Sequence, residues 1–132
     1  MKDLAKLVTA CTQNTGGTVW VASCDTNGLP HLALSGKLEM PDDDTALLSG
    51  FCCVKTVDNV RANPRIALGA WDVASGDGWQ LVGQVRNIAV TEAPANSPMH
   101  LGSEVGGVHY TITVFIDKAL HLTPGRHSDS AM

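Results

Sequence analysis

Six β-prone runs, each closed by a turn signal, restrict what this 132-residue chain can become. They are "TVWVASC" (18–24), "HLALSGKLEM" (31–40), "TALLSGF" (45–51), "RIALGAW" (65–71), "WQLVGQVRNIAVTE" (79–92) and "VHYTITVFIDKALHLTPG" (108–125). Between the first two stands "DTNGLP", a turn built on Asn27 and Gly28, so they form a hairpin. The last run alternates Tyr110, Ile112, Val114 and Ile116 on one face. Short turns and a long final strand predict an all-β, six-stranded antiparallel barrel with a few short helices. Gly83 sits mid-strand and marks a bulge, a barrel corner or a close approach.

Two segments break the β pattern. Leu4, Leu7, Val8 and Cys11 recur at helical spacing, predicting an amphipathic helix over about 2–13 that "NTGG" stops. "TVDNVRAN" (56–63) reads as a second helix, with Thr56 or Asp58 as N-cap and Pro64 as its stop. The stretch 93–107 carries two prolines and a glycine pair and is read as a loop. Residues 1–125 form one domain, and 126–132, "RHSDSAM", are expected to be a mobile tail.

Charge and composition exclude several functions. Nine basic residues against thirteen acidic ones give a net charge of -4, with no basic block to follow a phosphate backbone, so no nucleic-acid partner is expected. No run approaches the ~20 apolar residues of a membrane helix, and a cytoplasmic protein is expected. Cys11, Cys24, Cys52 and Cys53 lack paired zinc spacing and read as reduced thiols. Asp42, Asp43 and Asp44 follow Pro41 without calcium-loop spacing and read as a solvated hairpin turn. His31, His100, His109, His121 and His127 form no ligand pair, so no metal site is expected. The three tryptophans read first as core, and no catalytic acid, base or nucleophile constellation emerges.

The stretch "GFCCVKTVDNVRANPRIALG" (50–69) carries the chemistry. A helix start aimed back at the sheet presents unpaired N–H groups and a positive dipole end, and Lys55 and the Thr56 hydroxyl stand there to complete an anion site. Gly50 lets backbone approach a ligand, and Ser35, Lys37 and Ser49 add polar groups to two otherwise apolar strands. One phosphate end and one apolar slot suit a nucleotide-like cofactor.

The run "NGLPHLALSGKLEM…ALLSGFCCVKTVDNVRANPRIALGAWD…GWQLVGQVRNIAV" resembles the FMN-binding split-barrel family, the pyridoxamine 5'-phosphate oxidase-like proteins, and within it the small FMN-binding proteins. The resemblance implies a split barrel that dimerises and holds FMN at the subunit interface, as an oxidoreductase or electron carrier with a small-molecule or protein redox partner. Lys55 and Thr56 would hold the phosphate. Ser35, Leu34 and Gly36 would lie along the flavin, with the Ser49, Gly50 and Phe51 backbone beside its ring and Gln84 as a looser contact. The alternative within the same fold is a non-catalytic module for haem or another flavin-like ligand. Many members carry Ser or Arg where this chain has Cys53 and Val54, which implies fewer side-chain contacts to the phosphate. Oxidation of pyridoxamine phosphate is not the leading expectation, because those oxidases are longer and end in a basic tail.

Overall fold

The structure, a computed structural model, describes residues 2–92, 108–126 and 128–132. The loop expected at 93–107, with His100, and the tail residue His127 lie outside the described residues. Helix α1 (Leu4–Thr12) runs through a 3-10 turn (Gln13–Thr15) into Gly16, whose φ of 67° ends it in the left-handed region. The strands are β1 (Val19–Cys24), β2 (Pro30–Ser35), β3 (Leu38–Asp42), β4 (Thr45–Phe51), β5 (Arg65–Asp72), β6 (Asp77–Glu92) and β7 (Val108–Leu122), with α2 (Val54–Ala62) between β4 and β5.

All seven form one antiparallel sheet in the order β2-β1-β5-β6-β7-β4-β3, and β2 also approaches β4, curling the sheet into a split barrel. The count is seven rather than six because the run 31–40 divides at Gly36–Lys37. Its first half pairs with β1, Trp20 opposite Leu34, and its second half with β4, Leu38 opposite Leu48, at the far edge of the sheet. One strand cannot serve both partners. The Leu38 N–H donates to Gly17 O at 2.8 Å where the new strand begins.

The core is mostly aliphatic, with Phe51 and Tyr110 as its buried aromatics. Val19 and Val21 of β1, Leu48 of β4, Leu68 of β5, Leu81 of β6 and Ile112 and Val114 of β7 are all fully buried, with Leu4 and Val8 of α1 closing one side. Each such side chain contributes about 1.5–3 kcal/mol on burial. At Gly83 the β6–β7 register slips, and an added Cβ would overlap the Phe115 carbonyl oxygen. Of the bulge, barrel corner or close approach read from the sequence, the bulge and the close approach are both present.

Two further segments are tied down by long-range bonds. Asp43, read as a solvated turn residue, caps α1: its carboxylate oxygens accept the Asp3 and Ala5 N–H groups at 3.1 and 2.9 Å. The C-terminal segment expected to be a mobile tail is bonded to β7, with Asp129 N–H to His121 O at 2.6 Å, His121 N–H to Ser130 O at 2.8 Å and Met132 N–H to Ala119 O at 3.0 Å.

Candidate functional site

Everything at the candidate site hangs on how β4 passes into α2. Between the pairs Leu48–Ile112 and Phe51–Tyr110, two β4 residues, Ser49 and Gly50, stand opposite one β7 residue, Thr111, a bulge that Gly50 accommodates with φ 64°. Cys53 is extended, with φ -79° and ψ 102°, and the helix begins at Val54, two residues earlier than the sequence suggests. Neither Thr56 nor Asp58 is the N-cap. No capping side chain marks Cys53, so the true start is silent in sequence.

Because the first internal bond runs from Val57 N–H to Cys53 O at 3.3 Å, the N–H groups of Val54, Lys55 and Thr56 precede any intrahelical partner. The first turn contains no acidic residue and the N-cap makes no side-chain bond. Asp25 of the β1–β2 turn is held below the ordinary carboxylate range first by the Leu29 N–H donated to it, then by the Asn27 N–H, and to a smaller degree by the charge of the exposed Lys55.

Thr56 is fully buried and its Oγ1 lies 3.4 Å from His31 Nδ1 on β2. Its hydroxyl is thus engaged by the sheet, and it offers the helix start its backbone N–H rather than a free side chain. Asn59, one turn on, donates from Nδ2 to Ser23 Oγ at 3.1 Å, and Val57 and Val60 enter the core. Pro64 ends the helix, and its carbonyl accepts Val85 N–H at 2.8 Å. Helix α2 is therefore bolted to β1 and β2 with its open end outward.

The other expected residues divide. Ser35, Gly36 and Ser49 come together around one carbonyl: Ser35 Oγ and Ser49 N–H both donate to Lys37 O, each at 3.3 Å. Leu34 alternates to the opposite face from Ser35 and is 63% exposed. Phe51 is buried in the core, so only its backbone is available. Gln84 is not brought to this group. It pairs with Arg65 and Phe115, level with Thr45 at the far end of β4 from Phe51.

Sequence reading missed the outer face of the sheet. Trp20 was read as core but is 58% exposed, because strand alternation sends it away from Val19 and Val21. With Leu32, Leu34, Gly69, Trp71 and Leu122 it forms an apolar surface across β2, β1 and β5 to the end of β7. Two grooves cut it. One of about 350 Å³ is lined by Trp20, Gly69, Trp71, Leu122, Thr123 and Pro124. The other, about 190 Å³, shares Trp20, Gly69 and Leu122 and reaches Leu32. The available signal was a strand apolar on both faces, which implies cover on both sides. A wider and shallower hollow of about 440 Å³ lies apart from this face, against α1, lined by Ala5, Lys6, Thr9, Ala10, Gln13 and Met40.

A family model described as pyridoxamine 5'-phosphate oxidase matches residues 10–123. No curated protein sequence matches the chain. Among solved structures, an FMN-binding protein from Syntrophomonas wolfei subsp. wolfei is similar with a TM-score of 0.69 at 16% identity, over 95% of this chain and 90% of that one. A tagged form of HupZ from Group A Streptococcus matches with a TM-score of 0.64 at 15% identity over 98% of both chains. A protein related to general stress protein 26 of B. subtilis, from Clostridium acetobutylicum, matches with a TM-score of 0.63 at 17% identity over 99% and 94%. At these identities the likeness is one of fold.

Proposed function

Because the chain belongs to the pyridoxamine 5'-phosphate oxidase family, we propose that it is an FMN-binding flavoprotein, an oxidoreductase or electron carrier that works as a homodimer. The observation that carries this reading is the start of α2, which has no cap and no acid, presents Lys55, and is fixed to the same two strands whose outer face is apolar. A phosphate fits such an end: three backbone N–H groups and an ammonium neutralise it where a carboxylate would be repelled. The similar Syntrophomonas wolfei protein is FMN-binding, which supports the choice of cofactor.

In this reading Lys55 and the Val54–Thr56 amides hold the phosphate, and the His31 contact keeps Thr56 in place. The backbone of Ser35, Gly36, Ser49, Gly50 and Phe51 lies along the ring, with Leu34 exposed toward the second copy. Gln84, remote from this group within one chain, remains the loosest of the assignments. When bound, FMN supplies the redox chemistry, while the chain binds it, orients it and excludes water. A second copy covers Trp20, Leu32 and Trp71, which would otherwise face solvent. The partner for the electrons is a small molecule or another protein.

Titration of the purified protein with FMN, followed by visible absorption, tests this beside Lys55→Ala. Saturable flavin bands are expected, with affinity about tenfold lower or worse in the variant, because a charge-assisted contact is lost. A wild type that gains no bound-flavin spectrum would overturn the reading in favour of a non-catalytic ligand-binding module. A monomer by light scattering at micromolar concentration would remove the interface.

A further inference from the structure

We infer that His31 is a second cationic residue of the phosphate site, strengthening the hold of α2 on an anion when its imidazole is protonated; the inference rests on the FMN reading. The imidazole belongs to a pair of contacts between two facing strand residues and one face of the helix. Ser23 on β1 pairs with His31 on β2, and Asn59 stands one turn along α2 from Thr56. Asn59 Nδ2 donates to Ser23 Oγ at 3.1 Å, and Thr56 Oγ1 lies 3.4 Å from His31 Nδ1. The ring therefore sits against the first turn of α2, the end whose amides precede any intrahelical partner.

The two contacts are not alike. Ser23 and Asn59 are both buried and neutral, whereas His31 is half-buried and keeps surface in contact with solvent. A hydroxyl on β2 would seat Thr56 as well as an imidazole does. What the imidazole adds is a charge that comes and goes between about pH 5 and 8. Thr56 Oγ1 suits both states, because a hydroxyl donates to a neutral ring nitrogen and accepts from a protonated one.

The neighbouring charges leave that role open. β2 has no other titratable side chain, β4 has none, and β1 has only Cys24. Cys52 and Cys53 precede α2, which carries Lys55, Asp58 and Arg61. The β1–β2 turn adds Asp25, whose carboxylate already accepts the Asn27 and Leu29 N–H groups. Arg61 belongs to the last turn, so Lys55 is the only fixed cation in the first. A protonated His31 supplies the second charge that a phosphate dianion calls for.

The test compares FMN and riboflavin affinities of wild type and His31→Gln at about pH 6 and about pH 8. Gln can still donate to or accept from Thr56 but never becomes a cation, and riboflavin is the same ring system without the phosphate. Near pH 8 the two proteins are expected to bind FMN within about twofold of each other, and near pH 6 the variant to bind it about threefold more weakly or worse. Comparing the proteins at one pH cancels the titration of the phosphate itself. A variant-to-wild-type ratio equal at both pH values would overturn the inference and leave the imidazole a seat for Thr56. So would a pH-dependent ratio that riboflavin shares, since the effect would then lie elsewhere than on the phosphate. Should the variant fail to fold, NMR titration of the His31 ring in wild type decides the matter. FMN is expected to raise its midpoint by about 0.5, which is the same threefold, and riboflavin to leave it alone; a midpoint unmoved by FMN overturns the inference. A wild type that binds no FMN at either pH removes the flavoprotein reading, and this inference with it.

Discussion

The two α-helices among the described residues are the same length and begin in opposite ways. At α1 a carboxylate from a distant turn, Asp43, closes on the Asp3 and Ala5 N–H groups. At α2 nothing closes: Cys53 caps without a side chain, no acid lies in the first turn, and Lys55 adds a positive charge. Both ends carry the same unsatisfied backbone groups. The chain closes one set from within and leaves the other open, where the proposed phosphate would sit, so a helix start becomes informative only when its occupant is known.

The comparison breaks most sharply if α2 is made to resemble α1. Lys55→Glu places an acid at the open end, and FMN affinity is expected to fall about 100-fold, the loss of one charge-assisted contact plus a repulsion. Fluorescence titration measures it, and an unchanged dissociation constant would mean that the end of α2 does not hold the phosphate. The converse change is smaller. Asp43→Ala uncaps α1 and should lower stability by about 1 kcal/mol in urea unfolding, leaving FMN affinity untouched. A drop in FMN affinity there would show that the two ends are not independent.

The smallest effect concerns Asp25. Its carboxyl is held low by the Leu29 and Asn27 N–H groups and by the Lys55 charge. A carboxyl whose folded value is depressed contributes stability in full above its unfolded value, about 3.9, and loses it as pH falls through the lower folded one. Asp25→Asn should therefore flatten the acid limb of the stability profile below about pH 4. Because Asp25 also competes for Lys55, the variant should bind FMN about twofold more tightly at low salt. Tighter binding that persists at high salt would point to a change of loop shape instead.

How far the sequence speaks depends on whether a feature is local. Alternation in β1 and β7, the Asn27–Gly28 turn, the stop at Pro64 and the Gly83 bulge are written into adjacent residues, and each is found in the structure. The division of 31–40 into two strands is not, because it follows from β1 and β4 lying far apart in strand order. The start of α2 was misplaced because Cys53 has no capping chemistry to announce it. Asp43 looked like an ordinary turn acid until its 40-residue reach to Asp3 was visible. His31 looked like an ordinary strand residue for the same reason: its contact with Thr56, 25 residues on, exists only in the fold. Which of the expected site residues share a face was not legible either, as Leu34, Phe51 and Gln84 show.

The glycine at 83 has a consequence for how such chains diverge. Its neighbours need only be apolar or polar in the right alternation, and solved relatives with 15–17% identity keep the same fold. At Gly83 the constraint is of another kind, because a single methyl group would collide with the Phe115 carbonyl on the next strand. No compensating substitution on Phe115 relieves it, since the obstacle is backbone. Drift can rewrite the chemistry of this barrel almost everywhere, yet here it meets a position where only the absence of a side chain is heritable.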